Sequence, residues 1–173
     1  NCFILFSILF SFISGNRFLK KSSLSLYTFT KYVFHLLESK FNPIALIRRA
    51  AERALITLLD KWPATKSLAI FCGTGNNGSD GLVLALFAKK IGLSVSVYLV
   101  GSGASKGNEA QKCREECLKN GLSFQDPNRF EGHCDLVVDA IFGMGLNRPI
   151  EGIYSQAVSI INDSQKLVFS LDV

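Results

Sequence analysis

Five cysteines stand in the 173-residue sequence, at positions 2, 72, 113, 117 and 134, and no two of them form a C-x-x-C pair. An odd number without that spacing supports neither a zinc site nor the disulfide framework of a small secreted domain, so a reducing compartment is expected. Histidine is scarcer still. His35 falls in the amino-terminal leader and His133 in a loop, and no histidine general base is expected from either. The leading stretch NCFILFSILFSFIS, residues 1–14, falls short of the roughly 20 apolar residues that a spanning helix needs, so no membrane span is expected. Its basic residues follow it instead of preceding it, which makes it a poor secretory signal. Acids are missing from the first 37 positions, where Arg17, Lys20, Lys21 and Lys31 supply four of the +5 formal charges. From residue 38 onward 15 basic residues face 14 acidic ones, so the body has no bulk pull on phosphate backbones and nucleic acid is not an expected partner.

What is present is ordinary globular usage, 48% hydrophobic and 19% charged, enough for one domain around a single sizeable core. Residues 1–41 form a hydrophobic and basic leader distinct from a domain over 42–173. Its segment GNRFLKKSSLSLYTFTKYVF is Ser-rich and free of acids, which fits an organelle transit peptide and a translated upstream region equally well. A cytoplasmic domain is expected, or a mitochondrial or plastid one if the leader is a transit peptide.

Along the body, strand and helix patterns alternate. Asn42 and Pro43 make a cap and first turn before IALIRRAAERALITLLDKW, whose apolar residues hold helical spacing. The strand SLAIFC, the helix DGLVLALFAKKI, the strand SVSVYLV and the helix NEAQKCREECLKN follow, with Gly92 and Gly121 as helix stops. CDLVVDAIF is another strand, GMGLNRPIEG a long loop, IYSQAVSIIND a helix and KLVFSLDV a last strand. This order predicts a Rossmann-like three-layer α/β/α fold with a mostly parallel sheet. Ligands of such sheets bind beyond the carboxyl ends of the strands.

Gly73, Gly75 and Gly78 spell G-x-G-x-x-G between a strand and a helix, the start of a dinucleotide-binding unit. The acid that should follow about 20 residues later is missing: no Asp or Glu occurs between Asp80 and Glu109, nor an Arg to replace it. No Lys-Ser or Lys-Thr follows the last glycine either, which excludes a phosphate loop of the hydrolase type. An NAD(P)-dependent oxidoreductase is therefore the weakest of the functional alternatives. In its place stands the cluster Asn76-Asn77-Gly78-Ser79-Asp80 at a helix amino terminus, where free N–H groups favour an anion. Asp80 as a helix cap or a complement to the helix dipole, and Asn77 as a turn former, are the structural alternatives. Asp139 is a carboxylate near the end of an apolar strand, and either a cation held by oxygen ligands or a hydrogen bond from a loop N–H would satisfy it. Asp172 is a third carboxylate on the same rim, and Arg148 is the base nearest these acids in sequence.

The segments GTGNNGSDGLVLA, VVDAIFGMGLNRPIEG and the terminal SLDV resemble the NAD(P)H-hydrate epimerase family, the YjeF N-terminal domain. Its usual loop reads G-x-G-N-N-G-G-D-G and its last motif D-V-P-S-G. PIALIRRAAERA is similar to its entering helix, so the resemblance covers roughly residues 42–173. Two departures stand out. Ser79 replaces a family glycine, which would tighten the loop or demand positive φ of a residue that tolerates it poorly. The sequence stops at Val173, before the Pro-Ser-Gly whose Ser is a family cation ligand, so an incomplete site is expected.

The resemblance implies epimerisation of the R and S forms of the damaged cofactors NADHX and NADPHX. Carried over by position, Asn76, Asn77, Gly78, Ser79, Asp80, Gly143, Met144, Gly145, Leu146, Asn147, Arg148, Pro149 and Asp172 would contact the hydrate. Asn77 and Asp139 would hold a potassium ion, and Asp172 would act as general acid and base. A homodimer, and an ADP- or ATP-dependent dehydratase fused or separate, are the macromolecular partners that go with this reading. Some relatives of the domain are non-catalytic scaffold modules that have lost the site acids. Asp80, Asp139 and Asp172 are kept here, whereas Ser79 and the end at Val173 leave the scaffold alternative open.

Overall fold

The computed structural model describes residues 43–101, 108–144 and 146–171. The leader, the expected Asn42 cap, Gly145 and Asp172 lie outside the described residues. The chain divides into two units, residues 1–46 and 47–173, and the sheet belongs wholly to the second.

Helix α1 (Pro43–Lys61) leads to strand β1 (Ser67–Cys72), helix α2 (Asn76–Lys90) and strand β2 (Ser94–Leu99). Helix α3 (Asn108–Lys119), strand β3 (Phe124–Gln125) and a 3-10 turn at Pro127–Arg129 follow. Strand β4 (Leu136–Ala140), helix α4 (Ile153–Asp163) and strand β5 (Leu167–Ser170) complete the described elements. The five strands lie in the order β3-β2-β1-β4-β5, and every pairing is parallel. The expected parallel α/β fold is therefore present. Strand β3 and the turn behind it were not expected, because two residues carry no alternation to read. Only Phe124 and Gln125 pair with Val97 and Tyr98 before Pro127 opens the turn, and Asp126 caps that turn by accepting from Asn128 N at 2.8 Å.

Alternate residues of β1 separate the core into two clusters. Leu68, Ile70 and Cys72 pack with Leu55 and Leu58 of α1, the apolar residues of α2, and Cys113 and Cys117 of α3. Ala69 and Phe71 join Val137, Tyr98 and Val100 with Ala157 and Ile161 of α4. Helices thus cover both faces, the expected three layers. Each fully buried Leu or Phe contributes about 1.5–3 kcal/mol over its exposed state. Helix α2 has no clean apolar stripe because it is buried almost all round: Leu82, Val83, Leu84, Ala85 and Leu86 are all at most 2% exposed. Cys113 and Cys117 are small buried residues on one face of α3, and the Cys117 thiol donates to Leu82 O at 3.4 Å. Arg48 of α1 grips Glu116 of α3 with contacts of 2.5 and 2.7 Å to its two carboxylate oxygens. No helix among the described residues is long and apolar enough to cross a membrane.

At the amino ends of the strands, Asp135 ties β4 to β1. Its Oδ2 accepts from Lys66 N, Ser67 N and Ser67 Oγ at 2.9, 2.9 and 2.8 Å. The Lys66 backbone N–H foremost, then the two Ser67 donors, hold its carboxyl below the ordinary value of 3.8. A group lowered on folding adds stability above its unfolded value, and that stability is lost as pH falls through the folded value. The urea midpoint of Asp135→Asn should therefore lie below wild type above about pH 4, and the gap should narrow as pH falls below that through the folded value. A constant gap across that range would show that the carboxylate charge is not what matters.

Candidate functional site

Sheet order places the reversal of winding direction between β1 and β4, the position at which open α/β sheets form a crevice beyond the strand ends. Two loops meet there, residues 73–75 after β1 and 141–152 after β4. Gly73 N donates to Ala140 O at 3.0 Å, and a Cβ on Gly73 would collide with the carbonyl oxygen of Ile141. A Cβ on Gly78 would collide with the carbonyl oxygen of Gly73. These two glycines are needed for close backbone approach of loop to loop and helix to loop. Gly81 brings α2 onto the sheet, where a Cβ would lie 2.6 Å from Ala140 Cβ.

Helix α2 begins earlier than its apolar pattern suggests. Gly75 occupies the cap position with extended backbone and no side-chain cap, and Asn76 is the first helical residue. Ser79 N makes the first turn's hydrogen bond, to Gly75 O at 3.2 Å. The N–H groups of residues 76–78 precede that bond and face the end of the helix, where its dipole favours an anion. Asp80 is the fifth helical residue, so the capping alternative does not hold. Ser79 is likewise helical, 2% exposed and free of positive φ, with Oγ 3.4 Å from Gly75 O. The strain expected from it is absent because the residue lies in the helix, past the loop.

Asn77 is 6% exposed and reaches back across the crevice. Its Nδ2 donates to Phe142 O and, at 3.2 Å, to Leu171 O. Exchanging amide oxygen and nitrogen would set an acceptor against two carbonyls, so the orientation follows from chemistry. Oδ1 is buried and finds no hydrogen-bond partner among the described residues, and a buried acceptor that nothing satisfies costs about 1–3 kcal/mol. Asp139 sits beside the same segment. Its main-chain O accepts from Leu171 N at 2.9 Å, and its Oδ1 accepts from Ile141 N at 3.0 Å. The loop N–H foreseen for Asp139 is thus present, yet it occupies only one carboxylate oxygen. Burial pushes the Asp139 carboxyl above its ordinary value, and the Ile141 hydrogen bond opposes this. Among the described residues no group of three or more His, Cys, Asp or Glu could hold a metal ion. The donors here are instead an orphaned amide oxygen, one carboxylate and backbone carbonyls, a set that fits a hard cation with oxygen preference.

A cavity of about 420 Å³ opens between the loops, within the range of small-molecule sites. Of the residues singled out in the sequence, Gly75, Asn76, Asn77, Gly143, Leu146, Asn147 and Arg148 line it. Pro149 lines an adjoining cavity of about 150 Å³, which Arg148 also borders. Gly78, Ser79 and Asp80 stand behind the cavity in α2, and Met144 is 80% exposed and borders neither cavity. Thr74, Phe142 and Tyr154 are lining residues that the sequence reading missed. In the sequence Phe142 has the pattern of a strand end and Tyr154 that of an ordinary helix residue, and neither carries a recognisable chemical signal.

Known proteins bear on this site. A family model described as YjeF-related protein N-terminus matches residues 43–173. The bifunctional NAD(P)H-hydrate repair enzyme Nnr of Coxiella burnetii is 37% identical over 139 residues, 79% of this chain and 28% of that protein. The Nnr of Thermofilum pendens is 41% identical over 62% of this chain and 22% of that protein. An NAD(P)H-hydrate epimerase of Limosilactobacillus fermentum is 30% identical over 75% of this chain and 62% of that protein. The chain thus spans between about a fifth and three fifths of the length of these relatives. The crystal structure of yeast ynu0 shares the fold with a TM-score of 0.69 at 20% identity, covering 77% of this chain and 61% of that one. With the glycine approach, the Asn77 and Asp139 pair and the crevice already in place, the match over residues 43–173 shows that the chain belongs to the YjeF-related protein N-terminus family.

Proposed function

We propose that the chain interconverts the R and S hydrates of NADH and NADPH at C6 of the damaged nicotinamide ring. The observation that carries this reading is the buried Oδ1 of Asn77, without a partner among the described residues, on a side chain that shares Leu171 as a hydrogen-bond partner with the Asp139 backbone. A hydride-transferring site has no need of such a pair and needs instead the ribose-binding acid that is missing after β2. The names of the relatives agree, two of them repair enzymes for NAD(P)H hydrates and one an epimerase of them.

In this reading Asn77 and Asp139 would hold a potassium ion, whose charge would offset that of the half-buried Asp139 carboxylate and help hold the loops. The helical N–H groups at 76–78 and the Arg148 guanidinium attract the nucleotide's phosphates, and Asn147 adds amide donors. The hydrate carries a hydroxyl on C6 beside the ring nitrogen. Protonated Asp172 gives its proton to that hydroxyl, the C–O bond breaks, and the nitrogen lone pair stabilises the carbon left behind. Water then adds to the other face and returns a proton to Asp172, so the net change is inversion alone. Leu171, the residue before Asp172, supports this assignment by its hydrogen bonds to both Asn77 and Asp139. The S hydrate would feed a dehydratase driven by ADP or ATP. The bifunctional names of the Coxiella and Thermofilum relatives support a fused one.

Starting from pure R hydrate, the full-length protein with excess S-specific dehydratase should convert all of it to NADPH. Conversion of the S half alone in a racemic mixture would contradict the reading, and appearance of NADP+ would favour an oxidoreductase.

A further inference from the structure

Tyr154, the second residue of α4, lines both cavities, together with Phe142, Leu146 and Arg148. Its phenol is held from three sides. Oη lies 3.4 Å from Thr74 Oγ1, and the ring packs on Phe142 with centroids 5.2 Å apart at 41°. On the third side the backbone of Gly101 passes so close that a Cβ there would lie 2.6 Å from Oη and 3.2 Å from Cζ. Gly101 stands just beyond β2 with φ of +100°, next to Val100, whose N–H bonds to Cys72 O at 2.9 Å. The end of β2 thereby touches the crevice between β1 and β4 through Tyr154 and, with Cγ2 3.2 Å from the same Cβ position, Thr74, although β2 contributes no lining residue of its own.

We propose that Gly101 is a positioning residue for the site: its bare Cα is the seat that sets Tyr154 in the wall common to the two cavities, and the placement of that ring determines how the substrate nucleotide fits. This inference rests on the hydrate-epimerase reading. A methyl group at 101 would displace the phenol, because its oxygen has no room at 2.6 Å. The displacement changes the shape of the binding site and removes no acid or base, so it should appear in KM and not in kcat.

The test is a double-mutant cycle in the full-length protein, read both as melting temperature and as KM for the hydrate. Gly101→Ala should raise KM roughly tenfold and change kcat by less than about threefold, the size of effect that overpacking a close contact produces. Tyr154→Ala should also raise KM, but in its background Gly101→Ala should raise KM no further, since the group it would strike is gone. Tyr154→Phe removes only the oxygen nearest the added methyl and should rescue Gly101→Ala part-way in both readouts. Additive losses would overturn the proposal and assign the effect to backbone strain at positive φ. Coupling in melting temperature with unchanged KM would also overturn it, leaving a packing contact without a role in the site. A wild type that fails to interconvert the hydrates is a separate outcome, visible before any variant is compared. It would overturn the epimerase reading and, with it, the role proposed for the seat.

Discussion

Asp172→Asn in the full-length protein is expected to lower kcat for hydrate interconversion by about 10²- to 10⁴-fold, the usual worth of a positioned general acid and base. KM should change little. An amide keeps the size and much of the polarity of the carboxyl but can neither give nor take the C6 hydroxyl's proton, so the loss falls on the transition state alone. A raised KM with near-normal kcat would reduce Asp172 to a binding residue. The acid would then have to be sought elsewhere, with Asp80 next. Asp139 is a poor substitute because its Oδ1 is engaged by Ile141 N.

The second large effect concerns the cation. Potassium at about 100 times its Kd adds roughly 2.7 kcal/mol to the stability of the protein that binds it. Wild type should accordingly melt higher in potassium than in a buffer of a bulky organic cation. Asp139→Asn should lose most of that increment and most of the activity, because a neutral amide has little attraction for the ion. In the organic-cation buffer the same variant should be at least as stable as wild type, since burial already disfavours the charged carboxylate. The opposite pattern, lower stability in both buffers with the potassium increment intact, would make Asp139 a structural residue only. Removing Oδ1 with Asn77→Ala is a harsher probe, for it also deletes the hydrogen bonds to Phe142 O and Leu171 O.

The alternation of strand and helix patterns was enough to read the parallel sheet, because strands buried on both faces are continuous apolar runs such as SLAIFC and LVVDA. The start of α2 was misplaced for a physical reason. Asn76 to Ser79 have turn composition, but Gly75 supplies the cap and the helix takes them in before its apolar residues begin. Asp139 could be found in the sequence because a carboxylate among Leu136, Val137 and Val138 is anomalous wherever it points. The role of Asn77 could not be read from composition, since it depends on two backbone carbonyls, at 142 and 171, that only the fold brings to it. Tyr154 and Gly101 were invisible for the same reason. They lie 53 positions apart in the numbering and meet through a missing Cβ.

The central claim is inversion at C6 by loss and return of water. It is tested most directly by incubating pure R hydrate of NADPH with the full-length protein in water enriched in oxygen-18. S hydrate should accumulate until the two forms reach equilibrium, and each newly formed S molecule should carry the heavy oxygen on C6. S hydrate that retains the original oxygen would contradict the mechanism. An R hydrate left unchanged, or consumed with NADP+ as the product, would contradict the function.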